Sequence, residues 1–204
     1  MPTKLAQLVA SDYRGPRASF EEVHVLKAIL ELGRLGNIGR GKLGSLLNIG
    51  QGEVRTLIKR LKESGLIRIE SSGCSLTEKG KREFERIAKA LPWLSRVNAG
   101  ALGMGKASYA LVIRGKADRV RKGIEQRDAA IKAGASGALT VVYSGGKFKI
   151  PDEGTDCEAK GPSEPWTSLR KEAQPRNGDI LVISAGDKPS SAEYGALAAA
   201  LTLI

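Results

Sequence analysis

Near residue 65 the hydrophobic pattern of this chain changes period, and that change limits the folds open to it. Upstream, Val54, Leu57, Ile58 and Leu61 recur at intervals of three and four, which lines one face of a helix from about Gln51 to Ser64. Downstream, Leu66-Ile-Arg-Ile-Glu70 alternates as a strand does, Ser71-Ser-Gly73 carries turn chemistry, and Cys74-Ser-Leu76 returns as a second strand. Gly65 sits at the junction and stops the helix.

Two further helical stripes precede this one. Ser19 and Glu22 have the spacing of a capping box, and Val23, Leu26, Ile29/Leu30 and Leu32 follow as a stripe that closes at Gly33 and Gly36. A short helix fits Arg40 to Leu47, with Leu43, Leu46 and Leu47 inward and Asn48-Ile49-Gly50 turning the chain. After the hairpin, Thr77-Glu-Lys-Gly80 opens a fourth helix with Phe84, Ile87, Ala88 and Leu91 on one face. Helix, helix, helix, hairpin, helix is the order of a winged helix-turn-helix.

The run LIKRLKESGLIRIESSGCSLTEKGKREFERI resembles the recognition helix, wing and following helix of MarR-like and related archaeal winged-helix transcription regulators. The resemblance covers roughly residues 19–91 and implies a DNA-binding regulator. Its physical counterpart is the face of the third helix opposite the apolar stripe. That face carries Gln51, Arg55, Thr56, Lys59 and Lys62. Gln51, Arg55 and Thr56, near the helix start, are expected to read base edges. Lys59, Lys62, Arg40, Lys42 and Arg68 are expected on phosphates. An ordinary solvated helix face, or a winged helix that docks protein, is the alternative.

Charge favours the first reading. The chain of 204 residues has 33 Lys+Arg against 22 Asp+Glu, a formal charge of +11. Residues up to Asn98 hold 18 basic and 10 acidic side chains, and the remainder 15 and 12. Residues 39–68 alone carry seven basic against two acidic, so the excess is local, as a footprint for a polyanion would be. With only two Trp, four Tyr and three Phe, the chain is thin in aromatics for an RNA binder that stacks bases on aromatic platforms. The longest nearly unbroken apolar stretch, Gly195 to Ile204, is about half of the roughly 20 residues that cross a bilayer, so no membrane association is expected. The opening MPTKLAQLVASDYRG lacks the pattern of a signal peptide, and Cys74 and Cys157 make no disulfide framework. A cytoplasmic protein is the expectation.

Residues 92–106, between Pro92 and the Gly-rich stretch Gly100-Ala-Leu-Gly-Met-Gly105, read as a linker between a 1–91 domain and a 107–204 domain. Gly100-x4-Gly105-Lys106 has the first part of a phosphate-binding loop, but Ala107 stands where Ser or Thr should hold magnesium, and the motif precedes a strand instead of following one. No cofactor follows from it. His24, Cys74 and Cys157 are too scattered for a metal site, and no nucleophile, acid and base converge, so neither a metal nor a catalytic role is expected.

The second domain alternates: strand 109–113, helix Ala117 to Ala133, strand 138–143, a tight turn at Gly145-Gly146, its partner 147–150, a long polar segment, strand 180–184, and a helix from Ser190 to Leu203. Taken as β-α-β-β-α-β-α, this predicts an α/β sandwich with a mixed sheet, and for the whole chain an α+β class. The segments GIEQRDAAIKAGASGA and GDILVISAGDKPSSAEYGALAAAL resemble uncharacterised C-terminal domains of archaeal winged-helix proteins, a resemblance that implies no ligand.

Three features of this half could form an effector site. Arg127 and Asp128 interrupt the stripe Val120, Ile124, Ile131, which marks either an internal ion pair or a ligand contact. Ser184, Gly186, Asp187 and Ser190 leave a strand end and enter a helix, where free N–H groups either bind an anion or are capped by Ser190 with Glu193. Residues 151–165, with Pro151, Pro162, Pro165 and five acidic side chains, form either a lid or a disordered segment. Leu5, Leu8 and Val9, or the small residues Gly195 to Ala200, could serve a homodimer. The sequence thus points to a double-stranded-DNA-binding regulator whose second domain senses a small molecule or mediates dimerisation. An α/β enzyme with an appended winged helix, or a protein-docking scaffold, is the alternative.

Overall fold

The computed structural model describes residues 5–7, 20–102, 104–159 and 163–204. Ser19, Leu8, Val9 and Pro162 lie outside the described residues. The chain forms two compact units, Met1–Ala88 and Lys89–Ile204.

In the first unit residues 5–7 are helical, with Leu5 buried, and α1 spans Glu22–Leu35. Its N-cap is Glu21, whose N–H donates to Nδ1 of His24 at 3.0 Å. α1 is buried on almost every side, from Val23 and Val25 through Leu26, Ala28 and Ile29 to Leu32, as befits the central helix of a small core. α2 (Arg40–Leu47) ends at Asn48 in the left-handed conformation, and α3 (Gln51–Glu63) starts after Gly50. Val54, Leu57, Ile58 and Leu61 are buried, as their spacing predicts. β1 (Ile67–Glu70) and β2 (Gly73–Leu76) pair antiparallel from Ile67↔Leu76 to Glu70↔Gly73. Ile38 adds a one-residue third strand, exchanging both backbone hydrogen bonds with Cys74 at 2.9 Å. α4 (Glu78–Ala90) is opened by Thr77, whose hydroxyl oxygen accepts from the Gly80 N–H at 3.1 Å and donates to the Gly65 carbonyl at 2.6 Å. One threonine therefore caps α4 and ties it to the end of α3.

The second unit is a five-stranded sheet in the order β3-β4-β7-β5-β6, built from β3 (Trp93–Val97), β4 (Ala107–Ile113), β5 (Gly137–Ser144), β6 (Lys147–Lys149) and β7 (Ile180–Gly186). Every pairing is antiparallel. This corrects the expectation of a mixed sheet. β4 and β5 do run the same way, as a strand-helix-strand order suggests, but β7 inserts between them and opposes both. The α+β class stands.

Residues 92–106 are also not a plain linker, since Trp93 to Val97 form an edge strand in register with Val112 to Ser108. Pro92 and the glycines that follow are the punctuation of an edge strand here, where proline is tolerated. α5 (Ile124–Lys132) is shorter than expected. Ala117 to Arg119 form a 3-10 turn, and Gly123 takes φ +75° with its Cα face close enough to Thr140 to leave no room for a relaxed side chain. α6 (Ser163–Ala173) and α7 (Pro189–Leu201) complete the unit. α5 and α7 pack together on one face of the sheet. α6 covers the other with Trp166, Leu169 and Ala173, against Phe148, Ala110, Val112, Leu181 and Ile183.

Candidate nucleic-acid interface

α3 presents Gln51, Arg55, Lys59 and Lys62 along its exposed side because the opposite side is committed to the core. The wing stands across from them. Between the two lies a groove of about 630 Å³, lined also by Gly39, Arg40 and Gly41 at the start of α2 and by Ile69 to Cys74 of the hairpin. Five of the eight residues proposed from sequence, Arg40, Gln51, Arg55, Lys59 and Lys62, thus line one concavity. Its base includes Ile58, and Ile69 faces it half exposed.

The wing is held at its distance by short-range bonds. The Asn37 side-chain amide donates to the Ser72 hydroxyl at 2.6 Å, Ile38 pairs with Cys74, and the Cys74 thiol donates to the Ile38 carbonyl at 3.2 Å. Gly73, at φ +149°, makes this approach possible, since a Cβ there would sit 2.6 Å from both the Asn37 Oδ1 and the Ile38 carbonyl oxygen.

Three residues of the set sit elsewhere. The Thr56 hydroxyl donates to the Gly52 carbonyl of its own helix at 3.1 Å, and Thr56 does not line the groove. Lys42 is exposed on α2, outside the groove lining. Arg68 points to the other face of the hairpin, where its Nε lies 2.8 Å from Glu70 and 3.1 Å from the Ser75 hydroxyl. Its charge is already met. Strand alternation is the reason: Ile69 takes the groove side of β1 and Arg68 the other, while Glu70 at the strand's end borders both. Arg60, part of the basic run, is buried with its guanidinium 5.3 Å over the Phe20 ring and adds nothing to the exposed field. The groove walls Ile69, Ser71 and Ser72 were not singled out from sequence, because nothing local says how far a hairpin stands from a helix.

The structure does not bring together the residues proposed as an effector site in the second unit. Arg127 and Asp128 interrupt no buried stripe: the buried side of α5 is Gln126 and Ala130, and the pair sits at 3.0 Å in solvent. Ser184 is wholly buried, with Gly195 of α7 packed against its hydroxyl. Gly186 is buried beside Ser191, which takes the capping role expected of Ser190: its hydroxyl oxygen accepts from the Lys188 N–H at 3.3 Å, and the helix starts at Pro189. Asp187 is exposed and Ser190 half-buried, and among the described residues no hydrogen bond or ion pair joins either to Arg127 or Asp128. Described residues of the acidic segment are bonded in place. Asp156 pairs with Lys147 at 2.6 Å, the Cys157 N–H donates to the Phe148 carbonyl at 2.9 Å, and Glu158 pairs with Arg170 of α6. Burial and the neighbouring Asp156 push the Cys157 thiol up to about 11, and burial raises Cys74 too, so both stay protonated thiols. Among the described residues no group of three or more His, Cys, Asp or Glu could hold a metal, and no helix is long and apolar enough to cross a membrane.

Comparison with known proteins follows the same division. Residues 26–82 match the family described as PH0730-like, N-terminal domain, and residues 104–203 match a domain of unknown function, DUF4443. No curated protein matches the chain. Among solved structures, the chain is similar to the hypothetical protein PH0730 from Pyrococcus horikoshii OT3, with 26% identity and a TM-score of 0.69 over 88% of this chain and 91% of that one. The first unit therefore has a fold of the DNA-binding winged-helix kind, shared with an archaeal protein.

Proposed function

We propose that this protein is a sequence-specific binder of double-stranded DNA that regulates transcription, with a non-catalytic second unit that assembles two copies or responds to a small molecule. The observation that carries the reading is the groove in which Arg40, Gln51, Arg55, Lys59 and Lys62 face the wing. α3 enters the major groove, Gln51 and Arg55 offer bidentate contacts to base edges, and Arg40, Lys42, Lys59 and Lys62 take phosphates. Arg68 is left out of this set because Glu70 and Ser75 already hold it.

Duplex binding measured at several salt concentrations tests it, after selection of a site from a random library. About four phosphate contacts give a log–log slope of about −3.6. Arg55→Ala costs about 1–3 kcal/mol and relaxes preference at one base pair, whereas Lys62→Ala weakens all sequences alike and flattens the slope by about one unit. A flat salt response, or unchanged affinity in the Arg55→Ala, Lys59→Ala double variant, overturns the assignment.

A further inference from the structure

Among the described residues six glycines lie inside α-helices: Gly33, Gly41, Gly44, Gly52, Gly80 and Gly195. Glycine weakens a helix, because the chain gives up more freedom to hold it and no side chain packs in return. Four of the six have a packing reason. A Cβ at Gly33 would run into the Phe84 ring, at Gly44 into Val54 at 2.9 Å, at Gly80 into the Leu66 carbonyl, and at Gly195 into the Ser184 hydroxyl and Ala135. Gly41 and Gly52 have no such neighbour. Nothing lies within 4 Å of where their Cβ would stand, neither has a positive φ, and both are exposed. The fold has room for alanine at either.

The two occupy equivalent places. Each is the second residue of its helix, in Gly39-Arg40-Gly41 at the start of α2 and in Gly50-Gln51-Gly52 at the start of α3. In both, the residue between the glycines lines the groove that faces the wing, and Gly41 lines it too. At 100° per residue, Gly52 falls within about 60° of Arg55 and about 20° of Lys59 around the α3 axis, so it belongs to the face that carries them. Each helix therefore opens with a bare patch of backbone set among longer polar and cationic side chains. A polyanion gripped by those side chains is drawn down onto the patches.

We infer that Gly41 and Gly52 are left without side chains so that the duplex comes into van der Waals contact with the backbone of α2 and α3, a sugar-phosphate strand over Gly41 and base edges over Gly52. Close approach of backbone to a ligand is a use to which glycine alone is suited. The inference rests on the duplex-DNA reading proposed above and adds to it two positions that act by shape and carry no charge. One methyl group at either fills space the duplex takes, and the contacts of Arg40 or Gln51 beside it lengthen.

The test is the pair of variants Gly41→Ala and Gly52→Ala in the full chain, each compared with wild type by thermal melting of the circular dichroism and by titration with the selected duplex at several salt concentrations. Both positions accept alanine without strain, so each variant melts higher, by roughly 2–8 °C in the first unit's transition. The dissociation constant for the duplex rises roughly 5- to 150-fold, the range for a methyl group forced into filled space. The log–log salt slope stays that of wild type, because no charge is lost, whereas Lys59→Ala flattens it. Variants that bind the duplex as tightly as wild type overturn the inference and leave the nucleic-acid reading standing. Variants that melt lower give the glycines a role in the fold and overturn it as well. A wild type that binds no duplex at any salt concentration overturns both readings together.

Discussion

His24 is the one histidine of the chain, and its bonding makes it a clean probe. Its Nδ1 accepts the Glu21 N–H, which requires the neutral ring, and burial lowers its pKa against the opposing pull of Glu21. Between the lowered folded value and the ordinary value near 6.5, the unfolded chain binds a proton that the native chain does not. Stability thus rises with pH through this window and is lost as pH falls below about 6.5. The thermal midpoint is expected to drop between pH 7 and pH 5, and His24→Ala, which costs about 0.5–2 kcal/mol as a lost cap, flattens that dependence. A midpoint equally pH-dependent in the variant contradicts the assignment. At the same scale, the charges of residues 39–68 show how far sequence reaches. Arg55 and Lys59 were legible as exposed because the apolar stripe fixes the helix face. Arg60 and Arg68 were not, because their partners Phe20, Glu70 and Ser75 are set by packing and by the pleat.

The wing is the element on which the groove depends, and Gly73 is where it is joined to the body. Gly73→Ala forces a Cβ into the Asn37 side chain and the Ile38 carbonyl, from a backbone angle that side chains avoid, at a cost of about 1–3 kcal/mol. The Ile38–Cys74 bridge opens, so Cys74 reacts with a thiol reagent in the folded variant at a rate the wild type does not reach, and duplex affinity falls. Unchanged thiol reactivity counts against the tether. Elements formed by local periodicity, α1 to α4 and the hairpin, were legible to within a residue or two. β3 was hidden by the proline and glycines around it. α6 carries its apolar positions Trp166, Leu169 and Ala173 behind a proline-rich acidic run, which gave its place in the element order but not its position. α5 misled the stripe argument, since Ile124 and Ile131 are its exposed side, and its buried side shows only Gln126 and Ala130.

Across the molecule, both tryptophans, Trp93 and Trp166, belong to the second unit, so intrinsic tryptophan fluorescence follows that unit alone. Asp179 is its buried clasp: one carboxylate oxygen meets Arg114 at 2.5 Å and the Arg176 N–H at 2.7 Å, and the other accepts the Gly115 N–H at 3.0 Å. Asp179→Ala leaves those donors without an acceptor and costs about 3–5 kcal/mol. The urea midpoint read by tryptophan falls, and affinity for duplex DNA in buffer stays as it was. A loss of DNA binding in the folded variant contradicts the separation of roles. The sheet order that defeated the mixed-sheet expectation also bears on how the chain is made. β7 joins β4 to β5, yet it follows both in the sequence, so on the ribosome the two halves of the sheet wait for the strand that unites them. From Ser144 to Gly186 is about 40 residues, a few seconds at about 5–20 residues per second. For that interval the backbone N–H and C=O groups of β4 and β5 that β7 will pair are open edges, while every residue of the first unit has already been made.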